Sequence, residues 1–168
     1  MAHADTDYRQ PARRRIGAQL LIRNPAGHVL LVQPSYKPGW ILVGGGAHPE
    51  EPPHLAAQRE GIEETGQTDL VPRDLLLLDY VPGEPGVSAE GYNFVFDGGI
   101  LPDNTQIILP TPQGDAAPEL LDWQFTPPDR LADVCRPYQR ARIIQALAAL
   151  HDPTLRGYTV LGQRVPPA

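Results

Sequence analysis

The sequence predicts an α/β sandwich with a mixed β-sheet between helices. Three observations carry that prediction: a hairpin pattern near the start, a central helix bounded by proline and glycine, and the order strands, helix, strands, terminal helix. In "IGAQLLIRNPAGHVLLVQ", Ile16–Arg23 reads as a strand, Asn24-Pro25-Ala26-Gly27 as the turn and Val29–Gln33 as the return. Trp40–Val43 is a third short strand that runs into a glycine run. The central helix starts at Pro53, because a first helical residue needs no N–H partner. Pro52 before it lacks the side-chain oxygen of a good N-cap, and Gly66 is a suitable terminator. Leu55 and Ile62 share a helix face and mark its buried side, which sets Glu60, Glu63 and Glu64 on another. Further strands are expected at Leu75–Val81, at Tyr92–Phe96 and across "LLDWQFTP". Residues 97–118 form a long connection rich in Gly, Pro and Asp, with a short strand at Gln106–Leu109. "PYQRARIIQALAAL" is the second long helix, apolar at Ile143, Ile144, Leu147 and Leu150. Residues 13–150 are thus the expected domain, 1–12 a polar lead-in and 151–168 a tail.

The chain has 168 residues, 41% of them hydrophobic and 20% charged, which suits one globular domain with a real core. Its 20 prolines favour short elements and stiff turns. A net charge of −6 repels polyanions, so no nucleic-acid polymer is expected as a partner. A small phosphorylated substrate remains compatible if a cation bridges the like charges. The lone Cys135 excludes an intramolecular disulfide and a cysteine-based metal site. "MAHADTDYRQPARRR" has no apolar stretch of the signal-peptide kind, and no segment is long and apolar enough for a membrane span, so a cytoplasmic setting is expected. Arg13-Arg14-Arg15 reads as a polar start to the first strand.

The informative stretch is "GGGAHPEEPPHLAAQREGIEETG", residues 44–66. Glu60, Glu63 and Glu64 stand at i, i+3 and i+4, and like charges so placed destabilise an isolated helix by roughly 0.2–0.5 kcal/mol per pair. No lysine is spaced to neutralise them. A hard cation such as Mg²⁺ prefers clustered oxygens and would remove the repulsion. Gly44-Gly45-Gly46 lies directly upstream, and glycine lets backbone approach a ligand without a Cβ in the way. The run is neither a Walker A sequence nor a G-x-G-x-x-G dinucleotide fingerprint.

These residues resemble the signature of the Nudix hydrolases, G-x5-E-x7-R-E-U-x-E-E-x-G-U, with U aliphatic. Gly45 opens the pattern, Glu51 follows, then Arg59-Glu60, the acidic pair Glu63-Glu64 and Gly66. The hairpin, "GWILVGGG" and "PELLDWQFTPPDRL" are also similar to the family. The departures are Gly61 and Gln67 at the two U positions, Val43 where proline is common, His48 where an acid is common and Glu50 where glycine is common. Gly61 within a helix costs about 0.8–1 kcal/mol relative to Ala.

The resemblance implies a Nudix-type α/β/α sandwich and hydrolysis of a pyrophosphate bond in a nucleoside diphosphate linked to another group, with Mg²⁺ or Mn²⁺. Glu60, Glu63 and Glu64 would face the metal, helped by a carbonyl from the Gly45–Ala47 segment. Arg59 and Glu51 would tie the loop to the helix. The general base stays open between Glu60 or Glu63 on the helix and a loop acid, Glu119 first and Asp115 next. Arg23, Lys37 and His48 are candidates to meet phosphate. Tyr36, Trp40, Tyr92, Phe94 and Trp123 could flank a base, although sheet packing is the plainer role for each. Members frequently dimerise, so a homodimer is among the expected assemblies. The alternative function is a non-catalytic Nudix-like domain that senses a nucleotide-type ligand; such domains typically lose signature carboxylates, and this chain keeps them. Isopentenyl diphosphate isomerisation on the same fold would need a further catalytic cysteine, and only Cys135 is available.

Overall fold

The Asn24–Gly27 turn closes as its residues dictate. Gly27 takes a φ of 81°, its N–H donates to Asn24 O at 2.9 Å, and Asn24 Oδ1 accepts the His28 N–H at 2.8 Å. The computed structural model describes residues 13–112, 114 and 116–166, so the expected lead-in at 1–12 lies outside the described residues. The turn joins β1 (Arg15–Arg23) to β2 (Val29–Pro34), and β3 (Ile41–Gly46) follows. Further strands are β4 (Leu75–Val81), β5 (Gly91–Ile100), β6 (Leu120–Thr126), β7 (Gly157–Val160) and β8 (Gln163–Arg164). The helices are α1 (Pro53–Thr65), the single-turn α2 (Leu131–Val134) and α3 (Pro137–His151). No helix among the described residues is long and apolar enough to cross a membrane.

All eight strands form one sheet in the order β6-β2-β3-β1-β5-β4-β7-β8. β1 lies at its centre, antiparallel to β3 and parallel to β5, which makes the sheet mixed. Alternation then sorts β1 between two cores. Ala18, Leu20 and Ile22 pack with α1 residues Ala56 and Ala57, whereas Leu21 packs with Ile143, Ala146 and Ala149 of α3. Helices on both faces of a mixed sheet are the architecture the element order predicts.

Several expectations need correction. The buried face of α1 is Ala56, Ala57, Gly61, Glu64 and Thr65, while Leu55 is 46% exposed. The helix lies too close to β1 for large side chains: a Cβ on Gly61 would stand 2.6 Å from Leu20 Cδ1. Leu20 fills the space that an aliphatic residue at 61 would have taken, so the departure is matched by its neighbour. Glu64 therefore points inward rather than to the side. β5 runs on to Ile100, and residues 106–109 form no strand. They cross the end of α1 instead, held by Ile108 N–H to Thr65 O at 2.9 Å and Gln67 Nε2 to Gln106 O at 2.8 Å. A Gln at 67 thus makes a polar tie to that crossing segment.

Residues 157–164, read from sequence as part of a tail, add two strands to the sheet. β7 pairs in parallel with β4, and a buried ion pair explains why it docks. Arg142, 2% exposed, donates from Nε to Asp79 Oδ2 at 2.8 Å and from Nη1 to Gln19 Oε1 at 3.0 Å. Asp79 Oδ1 accepts Thr159 Oγ1–H and Gly162 N–H, both at 2.7 Å. One carboxylate thereby joins α3, β4, β7 and the turn after it.

Candidate active site

The site grows from the end of β3. Gly44 has a φ of 131°, and a Cβ there would fall 2.2 Å from Ala18 O, so only glycine fits against β1. At Gly45 a Cβ would meet the carboxylate atoms of Glu60 at 2.5–2.7 Å. Loop backbone and helix carboxylate are in contact because the glycine has no side chain. One turn further along α1, Glu64 Oε2 accepts the Gly44 N–H at 2.7 Å.

Arg59 holds the loop on the helix. Its Nε and Nη2 both donate to Glu51, at 2.9 Å each, and Nη2 also donates to Gly46 O at 3.0 Å. Glu51 in turn accepts the His48 N–H at 2.8 Å. The guanidinium and that amide hold the Glu51 carboxyl down at about 2. The Nη1 of Arg59 reaches Glu60 at 2.8 Å and Glu63 at 3.2 Å. No lysine is spaced to neutralise the acidic cluster, but Arg59 serves two of its three members.

Glu64 has no such partner. It is 6% exposed, and its pKa is pushed up to about 8, first by burial and then by Glu60, Glu119 and Glu63, against the pull of the Gly44 N–H. Burial also raises Glu60, opposed by Arg59 and reinforced by Glu63 and Glu119. Oxygen-only donors, a buried carboxyl short of a counter-charge and a Cβ-free cradle at Gly45 all fit a hard divalent cation. Among the described residues no three acidic, His or Cys side chains form a ready-made cage, since Arg59 draws Glu60 and Glu63 towards itself.

The remaining candidates divide by location. Glu119 joins the group: its charge acts on Glu60 and Glu64, and its carbonyl accepts the Ser35 N–H at 2.8 Å, which fixes it beside the β2–β3 connection. Tyr36, 65% exposed, lies at the same rim, with Glu119, Glu64 and Glu60 among the causes that raise its pKa after burial. Lys37 sits with its ammonium 5.2 Å from the Tyr36 ring centre, and burial, Arg142 and Arg15 lower its pKa. His48 is on the outer side of the loop, its exposed ring 4.0 Å from Glu51. Arg23 is not brought in: it stands at the far end of β1, paired with Asp97 at 3.1 Å. Asp115 lies outside the described residues. Trp123 packs on Phe125, Phe94 on Phe96, Tyr92 on Tyr80 and Trp40 on the α3-side core, so these four serve the sheet. The sequence reading missed the Asp79–Arg142 pair, whose partners are 63 residues apart; nothing local announces it.

Comparison with known proteins agrees with this arrangement. A family model described as NUDIX domain matches residues 13–147. The chain is similar to an RNA pyrophosphohydrolase of Rhodopseudomonas palustris (strain BisB18), 29% identical over 127 residues that span 66% of this chain and 70% of the relative. Among solved structures it is similar to a MutT protein from Methanosarcina mazei Go1, with a TM-score of 0.66 and 22% identity over 85% of this chain and 99% of that one. It is also similar to a C. elegans Ap4A hydrolase, with a TM-score of 0.56 and 21% identity over 83% and 98% of the respective chains. At such identities the solved structures establish the fold.

Proposed function

The chain belongs to the Nudix family and is a Nudix hydrolase, and from that premise we propose that it cleaves the pyrophosphate bond of a small nucleoside diphosphate joined to another group, with Mg²⁺ or Mn²⁺ as cofactor. The observation that carries this reading is Glu64, a buried carboxyl among Glu60, Glu63 and Glu119 with its pKa raised to about 8. Burying a carboxyl beside like charges is unfavourable unless the position serves a ligand that repays it.

Glu60, Glu63, Glu64 and the Gly45 carbonyl would hold the cation. When bound, a divalent ion neutralises diphosphate charge and acidifies water. The chain's own groups supply the rest. Arg59 and Glu51 are positioning residues that keep the glycine loop against α1. Lys37, at the rim beside Tyr36, offsets phosphate charge. Glu119, exposed at the same rim, takes the proton of the attacking water. The water oxygen bonds to one phosphorus while the bridging P–O bond breaks, and its electron pair leaves with the other phosphate. Glu119 suits the role because Glu60 and Glu63 are engaged by Arg59 and Glu64 is buried.

The test is a panel of nucleoside diphosphate derivatives with Mg²⁺ and with Mn²⁺, identifying products, with Glu64→Gln as the blank. Turnover lost in the variant while its fold is retained supports the proposal. Full turnover by Glu64→Gln would overturn it.

A further inference from the structure

A cleft of about 500 Å³ lies between the β1–β2 turn and α3, walled by Arg23, Ala26, Pro128, Ile144, Leu147 and His151. Neither the glycine run nor α1 lines it, so it is separate from the candidate active site. Arg23 belongs to a row of the sheet that faces α3. It pairs with Val29 across β1–β2, and Val29 pairs with Thr126 across β2–β6. Directly opposed residues point to one face. Val29 is part of the core beneath α3, so Arg23 and Thr126 look towards that helix as well.

Two polar atoms of this row are left over. Arg23 Nε and Thr126 Oγ1 are both buried and lack a hydrogen-bond partner. The guanidinium donates from Nη2 to Asp97 Oδ1 at 3.1 Å, but that carboxylate is shared. Its Oδ1 also accepts the Gly99 N–H at 2.9 Å, and its Oδ2 lies 4.0 Å from Arg73 Nη1. Two guanidinia on one carboxylate leave a surplus positive charge there. The Arg23 side chain is only 15% exposed, so water and salt screen that charge poorly. Because Nε is closed off from solvent, a group entering through the cleft can pair it on a small turn of the side chain. The opposite wall is apolar, formed by Ile144, Leu147 and Pro128. A cationic end beside an apolar wall is the composition of a small-molecule site. One surplus charge matches a monoanion better than a doubly charged phosphate, and the planar guanidinium fork fits a carboxylate.

We propose that this cleft is a second binding site, for a small organic monocarboxylate whose oxygens meet Arg23 and whose apolar body lies on Ile144 and Leu147. The site stands at the opposite end of β1 from the glycine loop and does not depend on the functional reading above.

The experiment is a titration of the isotope-labelled full chain with naphthoate, followed by amide NMR shifts, with naphthamide and inorganic phosphate as comparison probes. Naphthoate should move the amides of Ala26, Gly27 and residues 144–151 with a dissociation constant on the order of 1 mM. Naphthamide has the same shape without the charge and should bind about tenfold or more weakly. Arg23→Met, which removes the cation, should erase that difference. Ile144→Trp, which fills the cleft from the α3 side and leaves the Arg23–Asp97 pair in place, should abolish binding of both probes. The amide spectra report whether each variant is folded, and the second variant decides the matter if the first is not. No shift at these amides at about 10 mM naphthoate, equal binding of naphthoate and naphthamide by wild type, or undiminished binding by folded Ile144→Trp would overturn the inference. Inorganic phosphate binding as well as naphthoate would overturn it too, by showing a site for anions of any kind.

Discussion

Replacing Glu64 by Gln in metal-free protein changes how stability depends on pH, and the direction can be worked out. The folded-state pKa is raised from 4.5 to about 8. Between those values the native chain holds a proton that the unfolded chain has released, so stability falls as pH rises. Each unit corresponds to about 1.4 kcal/mol, and the whole window to roughly 4–5 kcal/mol. For a chain of this size that is about 10 °C or more in melting temperature. Gln is neutral, and its Oε1 can still accept the Gly44 N–H that Glu64 accepts at 2.7 Å. In chelator, wild type and variant should therefore match near pH 5, and the variant should be the more stable at pH 8.5. A smaller slope from Glu60, whose pKa is also raised, remains in both, so the difference between the two curves isolates Glu64. Calorimetric melting from pH 5 to 9 with EDTA measures it. Parallel curves would show that this carboxyl is not strained by its surroundings.

Other perturbations test separate parts of the molecule. Asp79→Asn leaves Arg142 buried beside a neutral amide and should lose about 3–5 kcal/mol in urea unfolding, whereas Asp79→Leu with Arg142→Met should recover most of it. Gly61→Ala gains about 0.8–1 kcal/mol of helix propensity, but its Cβ meets Leu20 at 2.6 Å. Overpacking costs about 1–3 kcal/mol, so the net change should be a loss, relieved by adding Leu20→Val. Glu119→Gln should lower kcat about 10²–10⁴-fold, with little change in melting temperature. Near-wild-type kcat in the folded variant would move the base to Glu60 or Glu63.

Much of the fold was legible because local rules set it. The Asn24–Gly27 turn, the Pro53 start and the Gly66 stop are each decided by one residue's backbone preference. The signature carboxylates were legible for the same reason, as spacing along one helix brings them together. What escaped depends on contacts distant in sequence. The inward face of α1 could not be read from Leu55 and Ile62, because the closeness of Leu20 selects small residues there. β7 has only four residues, and the Asp79 carboxylate that docks it is far away along the chain. Arg23 looked suitable because it is a cation on a strand leading from the site, but it stands at that strand's other end, beside Asp97. Arg59 was expected to brace the loop; its reach to Glu63 follows the i, i+4 spacing, whereas its bond to the adjacent Glu60 depends on side-chain directions that spacing does not specify.

Binding of Mn²⁺ followed by the paramagnetic signal of the free ion, with wild type and Glu64→Gln side by side, addresses most directly whether the buried carboxyl is there for a cation. Wild type should take up the ion with release of a proton near pH 7, and the variant should bind about 10-fold or more weakly without that release. Equal affinity and equal proton release in the two proteins would contradict the assignment of Glu64 as a metal-holding residue.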